Sequence, residues 1–360
     1  MEQTNNSVFN SNSTIKNLTA LWAFSEGFLG GILNAVKVPF KGLLLGNISV
    51  TIIILISNFS NEKGAILKAG TITTIVKATI SPYSTLPAYL AVFMQTILGE
   101  LFFLRRKFMT LSGILLGIIT SVLSSVQRIV ILTLLFGNAF WETIDGFATY
   151  IYNEFSGSKT IPPDFKLSNW LIGIYIFIHA VIGFVVGLYA SRFARKIKSD
   201  VSGQHEFLKE FNHKSLAKRR EILIENKKRK SKFLKISKLA LYLFLLIVLI
   251  LSYVLNEADG KAYFDSKSIW IMLIRSVIIM ILWFKVIGPV LSELLKKRLL
   301  KRKNKYSEEI HYTLNAISDI RQVLSFAWKK ANGKGFKKIS SFVTMVITAI
   351  LQVDFGESNK

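Results

Sequence analysis

The sequence predicts an all-α, polytopic membrane protein: a six-helix transmembrane bundle followed by a transmembrane helical hairpin and cytoplasmic amphipathic helices. Two observations lead to this prediction. Hydrophobic residues make up 51% of the chain, and they occur in blocks of about 20 residues, the length that crosses the apolar core of a bilayer. Positive charge is also concentrated: residues 192–238 contain 16 Lys or Arg against 5 acidic residues, and residues 291–338 contain 13 against 4. Both basic stretches flank apolar blocks, as cytoplasmic loops of membrane proteins do.

Eight apolar segments are predicted to cross the membrane. The first is interrupted by Glu26, and the sixth contains the strongest apolar run. Their predicted bounds are 18–36, 39–57, 64–80, 85–104, 109–137, 168–191, 237–255 and 268–290. Because Lys and Arg are enriched in cytoplasmic loops, the basic stretches place both termini in the cytoplasm of a bacterial cytoplasmic membrane. The acidic connection 138–167 is then outside.

Five regions of different composition are predicted along the chain. They are a disordered N-terminal tail at 1–17, the six-helix bundle at 18–195, a basic cytoplasmic linker helix at 196–236, the transmembrane hairpin at 237–292 and a basic amphipathic cytoplasmic tail at 293–360. Apolar residues of this last region recur with helical spacing from Ile310 to Trp328. Its apolar block 339–353 is short for a full span, so we expect it in the membrane interface or docked on the other helices.

Motifs of catalysis and metal binding are not found in the sequence. The phosphate-binding pattern G-x-x-x-x-G-K-[ST], the zinc pattern H-E-x-x-H and the nucleophile pattern G-x-S-x-G do not occur. The chain has no cysteine and four widely separated histidines, so we expect no thiolate nucleophile, no metal site and no cofactor. The basic stretches are attributed to membrane topology, not to nucleic-acid binding. A non-enzymatic protein is predicted, with a lipid-modifying enzyme as a weaker alternative.

Several ionisable residues fall at membrane depth, where they are costly in lipid and often mark functional positions. Lys37, Lys41, Lys77 and Arg128 all map to the outer half of the predicted topology, and Ser81 lies on the adjoining outer loop. One interpretation is a binding site for a small anionic solute. The other is structural, because lysines near helix ends extend to the headgroups and buried charges pair with one another.

Small residues recur every fourth position in the first segment, at Ala23, Gly27 and Gly31. Such a stripe allows another helix to approach closely. It would serve either packing inside the bundle or docking to a separate membrane partner.

The first 195 residues resemble the substrate-binding (S) components of energy-coupling-factor vitamin transporters. The resemblance rests on the six-helix layout, the stripe Ala23-x-x-x-Gly27-x-x-x-Gly31, and the segments VPFKGLLLG at 38–46 and KATISPYSTLPAYLAVFMQTILGE at 77–100. It implies a ligand held among the outer halves of the helices, and a first helix that packs on a separate transmembrane coupling subunit driven by ATPases. The mostly glycine stripe and the extension 196–360 depart from this pattern.

The predicted function is therefore membrane transport, as the solute-binding component of a micronutrient- or vitamin-type uptake system that binds a small anionic solute from outside. The alternative is a scaffold or interaction protein whose basic tail recruits a cytoplasmic partner or anionic lipid. A cavity lined by Lys37, Lys77 and Arg128 would favour transport, whereas a solidly packed bundle would favour the scaffold. Either protein would have the lipid bilayer as a partner.

Overall fold

The structure, a computed structural model, describes residues 11–36, 40–81, 86–105, 108–156, 166–199 and 304–353, with scattered positions outside these ranges. These residues form helices joined by turns. The α-helices with described bounds are α1 Ser11–Phe24, α2 Gly30–Ala35, α3 Lys41–Phe59, α4 Ala65–Ile80, α5 Leu86–Phe103, α6 Met109–Phe136, α7 Ala139–Ser156, α8 Leu167–Ser199, α9 Ser307–Lys330 and α10 Phe336–Gln352. The predicted segment 237–255 lies outside the described residues, as does the linker 196–236 beyond Ser199.

In the part of the chain that the structure describes, three helices are long and apolar enough to cross a membrane: α3, α6 and the Leu167–Ile197 part of α8. Their most apolar windows are 56%, 28% and 17% buried, respectively. Many large apolar side chains of α6 and α8 are exposed, among them Leu134 at 57% and Phe177 at 67%. Contiguous exposed apolar surface of this kind is unfavourable in water and is expected in lipid. The chain therefore has the helices of a membrane protein.

The N-terminal helical run is longer than the sequence predicts. α1 begins at Ser11 and continues through a π-helical turn at Ser25–Leu29 into α2, with helical backbone angles at both junctions. Within the predicted disordered tail 1–17, Thr14 and Asn17 are fully buried. The prediction of disorder is therefore wrong for residues 11–17. The polar composition of this stretch reflects buried hydrogen bonds to the C-terminal helices.

The described residues fall into two compact units. The first takes its residues from Met1–Ser121, Ala180–Glu225 and Leu295–Lys360, and the second from Val122–His179 and Asn226–Leu294. In the first unit, α1 lies at the centre and packs against α3, α4, α9 and α10. Its side chains Leu18 and Trp22 are fully buried in the core cluster that these helices share.

The second unit contains a helix that was not predicted. Residues 138–167 were expected to form only an outer connection, yet α7 occupies 18 of them. Its sequence places aromatic residues on one side and polar residues on the other, which is the pattern of an interfacial helix. The Asp145 carboxylate of α7 accepts hydrogen bonds from the Ser168 backbone N–H at 2.7 Å and from its hydroxyl at 2.8 Å. Asp145 thereby caps the beginning of α8.

Candidate functional site

A buried ion pair joins the N-terminal run to α4. Lys77 Nζ lies 2.7 Å from Glu26 Oε2, and the two side chains are 4% and 5% exposed. Glu26 belongs to the π-helical turn, and Lys77 lies in the last turn of α4. The two residues are 51 positions apart in the sequence, so their pairing depends on how the helices pack.

Both charged groups have further hydrogen-bond partners. The Ser49 hydroxyl of α3 donates to Glu26 Oε1 at 2.8 Å, and the Trp22 indole N–H donates to that hydroxyl at 2.9 Å. Lys77 also donates to the Ala88 carbonyl of α5 at 3.1 Å. Four helices (α1, α3, α4 and α5) and the π-helical turn thus contribute to one buried polar network, as expected where a charge taken out of water must be paired and hydrogen-bonded.

The π-helical turn sets the direction of Glu26. A π-turn adds one residue to a helical turn, and such turns are often found at functional positions. The Ser25 hydroxyl, in the first position of the turn, donates to the Trp22 carbonyl at 2.8 Å. The π-helical turn therefore shifts the helical register at the position where the Glu26 carboxylate meets Lys77.

Lys77 is the predicted site residue whose surroundings differ most from expectation. It was grouped with uncompensated cations of an anion site, but Glu26 already balances its charge. The structural alternative, pairing of buried charges, therefore describes Lys77 as it stands. Glu26 was missed as a partner, although an acid that interrupts an apolar segment is itself a signal that a basic residue must lie nearby in the fold.

The other predicted ligand residues are distributed differently. Lys37 lies outside the described residues. Lys41 is exposed and hydrogen-bonds to Asn34. Ser81 lies one helical turn after Lys77, and its backbone N–H donates to the Lys77 carbonyl at 2.8 Å. Arg128 is exposed and belongs to the second unit, so the four-cation site is not seen within either unit.

The small-residue stripe packs inside the first unit for most of its length. Ala23 is fully buried in a cluster with Ile310 of α9 and apolar residues of α4. Gly27 is buried and faces Ile80, whereas Gly31 borders open space. The prediction that the stripe docks a separate helix is therefore corrected for Ala23 and Gly27, because the chain's own helices cover them.

A closer helix contact occurs between α6 and α8. A Cβ atom on Gly117 would come within 3.0 Å of the Gly183 carbonyl, and one on Gly187 would come equally close to backbone atoms at Gly113. Both helices therefore present G-x-x-x-G pairs, the motif that lets transmembrane helices touch along their backbones. The spacing was visible in the sequence but was not singled out.

Asn17 of α1 forms hydrogen bonds to both C-terminal helices. Asn17 Nδ2 donates to the carbonyls of Ile350 at 2.8 Å and Val353 at 2.7 Å, and Asn17 Oδ1 accepts from the Tyr312 hydroxyl. α9 and α10 thus dock on α1, and docking was one of the two placements predicted for 339–353.

An ion pair also joins α9 to α4: Lys68 Nζ lies 2.7 Å from Glu309 Oε1. Burial raises the pKa of Glu309, but the hydrogen bond and charge of Lys68, with a contribution from Lys16, hold the net pKa below its ordinary value. A carboxylate whose pKa is lowered by folding contributes its full stabilisation at pH values above its ordinary pKa. That stabilisation is lost as the pH falls through the lowered pKa.

Acidification below about pH 4.3, the ordinary Glu value, is therefore expected to loosen the contact between α9 and α4. The Lys68 side chain is 46% exposed, so the loss should be under about 1 kcal/mol. Hydrogen exchange of α9 measured from pH 7 to pH 3 checks this. The Glu309→Gln variant should show a smaller change across that range, and equal pH profiles for the two proteins would contradict the assignment.

Comparison of the chain with protein-family models, curated proteins and solved structures finds no match. Among the described residues, no group of three His, Asp or Glu side chains is placed to hold a metal ion. Two cavities of the first unit, of about 20 Å³ and 40 Å³, have room for only a few water molecules, and neither Lys77 nor Arg128 lines them, so neither is the cavity that would favour transport over a scaffold. The function is therefore argued from the buried polar network.

Proposed function

We propose that the protein is a membrane transport protein that binds a small anionic solute from the outer side, with the Glu26–Lys77 pair at its recognition centre. The observation behind the proposal is this pair, buried to 95% or more. Replacing a buried ion pair by well-packed apolar residues is often neutral or stabilising. Ionisable residues at membrane depth often mark functional positions. The function that we assign to this pair is exchange of Glu26 for a solute at Lys77.

Binding would proceed by substitution at Lys77. A lysine ammonium has three donors, and the structure gives two of them to Glu26 and Ala88. A solute carboxylate that approaches Lys77 replaces Glu26, whose side chain leaves the pair by rotating away from Lys77 within the π-helical turn. The hydroxyls of Ser81 and Ser84, 2.9 Å apart, adjoin the site and supply neutral hydrogen-bonding groups.

The finer topology belongs to the same proposal. Six helical runs within 11–199, namely α1 with α2, α3, α4, α5, α6 and α8, coincide in position with the six predicted segments. α7 then lies along the outer surface between α6 and α8. Both termini are placed in the cytoplasm of a bacterial cytoplasmic membrane, as the charge distribution predicts. A separate coupling subunit with its ATPases, implied by the resemblance, would contact a surface other than the buried part of α1.

The topology can be measured with single cysteines, because the natural chain has none. In intact cells, cysteine at Glu154 or Asp259 is expected to react with a membrane-impermeant thiol reagent, since both positions fall in outer connections. Cysteine at Lys228 should react only after the membrane is permeabilised. The reverse labelling pattern would contradict the orientation.

Solute retention tests the proposed function itself. The wild-type protein is expected to co-purify with an anionic metabolite that mass spectrometry can identify. The Glu26→Gln/Lys77→Gln double variant, which keeps the shape but removes both charges, should lose that metabolite by tenfold or more, about 1.4 kcal/mol. Lys41→Gln, a change at an exposed lysine, serves as the matched control. Equal retention by all three proteins would rule out the pair as a recognition centre.

A second candidate function rests on the surface around the α9–α10 connection. Phe336 is 90% exposed and Trp328 50%, and the Lys338 ammonium lies 4.8 Å from the Trp328 ring centroid. Exposed aromatic groups beside lysines suit an anionic lipid surface. The alternative is thus an interaction protein that holds its tail on anionic headgroups. Loss of binding to anionic vesicles in the Trp328→Ala/Phe336→Ala variant, with no solute retained by the wild type, would favour it.

A further inference from the structure

A second buried polar cluster lies between α3, α5 and α6 in the first unit. It consists of Asn47, Gln95, Thr120 and Ser121, which are 9%, 6%, 4% and 2% exposed. Each helix contributes at least one member, and no charged side chain belongs to the cluster. The recognition centre described above does not use any of these residues.

Two oxygen atoms of this cluster have no hydrogen-bond partner: Gln95 Oε1 and Thr120 Oγ1. The Asn47 amide is paired on both atoms: Nδ2 donates to the Leu43 carbonyl at 2.9 Å, and Oδ1 accepts from the Ser121 hydroxyl at 3.3 Å. A buried polar atom without a partner is costly, more so within a membrane where water is scarce. Two such atoms in one cluster indicate a place where a hydrogen-bonding group binds.

Gly46 brings the two residues together. A Cβ atom placed on Gly46 would lie 3.4 Å from Gln95 Nε2 and 3.5 Å from Thr120 Cγ2. The ends of both side chains therefore flank the same point on α3. Because glycine has no side chain, a space about the size of one methyl group remains at this point.

Gln95 of this cluster and the carbonyl that Lys77 contacts both lie on α5. Lys77 bonds to the Ala88 carbonyl, and Gln95 follows Ala88 by seven positions on α5. Seven residues are two helical turns, so the two points lie on one face of the helix about 10 Å apart. The buried residues Tyr89 and Val92 occupy the turns between them, so a solute that reaches both points must displace these two side chains.

We propose that Gln95 and Thr120 form a second recognition point, which takes a neutral amide or hydroxyl group of the solute that Lys77 holds by its carboxylate. The inference rests on the proposed function and names its substrate class. The solute is a monoanion with an apolar stem and a neutral hydrogen-bonding group about 10 Å from the carboxylate. A group carrying charge at that end is excluded, because the cluster offers no counter-charge.

Two probes of equal length test the two-point recognition: octanoate, and 8-amino-8-oxooctanoate, in which a primary amide replaces the terminal methyl group. Their affinities for the detergent-solubilised full chain are measured by isothermal titration calorimetry. The amide probe is expected to bind the wild type about tenfold more tightly than octanoate, the ratio that one buried hydrogen bond supplies. In Gln95→Leu/Thr120→Val the two affinities should become equal.

The variant removes unpaired polar atoms and should remain folded, which its thermal melting curve checks. If octanoate binds and the Glu26→Gln/Lys77→Gln variant loses it, but the amide adds nothing, the cluster holds only water and the second recognition point is wrong. If the amide probe still binds Gln95→Leu/Thr120→Val more tightly than octanoate does, Gln95 and Thr120 do not form hydrogen bonds to the solute. If neither probe binds the wild type, the two-point site and the anion proposal fail together.

Discussion

Replacing Lys77 by methionine is expected to destabilise the protein by about 3–5 kcal/mol, because it leaves the Glu26 carboxylate buried without its counter-charge. Ser49 would remain as the one described hydrogen-bond donor to that carboxylate. Methionine is unbranched and only one heavy atom shorter than lysine, so the change is mainly one of charge. Thermal or denaturant unfolding in detergent measures the effect.

The double variant Glu26→Gln/Lys77→Met separates charge from packing. If the loss comes from an uncompensated charge, the second substitution should restore much of the stability, since no buried ion remains. Lys41→Met changes an exposed lysine and should shift stability by less than about 0.5 kcal/mol. A Lys77→Met protein as stable as the wild type would show that the two charges do not meet in the folded chain.

Replacing Gly117 by alanine is expected to be the second large effect. The new Cβ atom would overlap the Gly183 carbonyl and nearby backbone atoms of α8. Backbone atoms cannot move aside as a flexible side chain can, so α6 and α8 must separate. Overpacking of this kind costs about 1–3 kcal/mol, which should lower the melting temperature and the yield of folded protein.

Gly173 provides the matched control for this prediction. It lies in α8, and a Cβ atom added there meets no heavy atom within 4 Å. Gly173→Ala should therefore be neutral or slightly stabilising, because alanine favours helix more than glycine does. If Gly117→Ala and Gly173→Ala behaved alike, the close crossing of α6 and α8 would be wrong.

The helices that are long and apolar enough to cross a membrane could be predicted from the sequence because their signal is local. A block of about 20 apolar residues specifies a span wherever it occurs, and α3, α6 and α8 arise from such blocks. α7 was missed because an amphipathic helix within an acidic connection has no apolar block. The start of α1 at Ser11 was missed because Thr14 and Asn17 look like surface residues until their partners at the far end of the chain are known.

The candidate site also depends on contacts between residues that are far apart in the sequence. Glu26 and Lys77 were each recognised as unusual at membrane depth, but their pairing depends on which helices are neighbours, and single-sequence patterns do not report that. The tail docking on α1 depends on contacts more than 330 residues apart. By contrast, the G-x-x-x-G spacings of α6 and α8 are local and could have been read from the sequence.

The central claim is that a solute carboxylate takes the place of Glu26 at Lys77, and infrared difference spectroscopy tests it most directly. Spectra of the purified protein are recorded before and after addition of the metabolite that co-purifies with it, for the wild type and for Glu26→Gln. The account predicts a change in the carboxylate or carboxyl bands of the wild type that is missing from Glu26→Gln. Identical difference spectra for the two proteins, with solute bound to both, would show that Glu26 keeps its place beside Lys77 and would contradict the account.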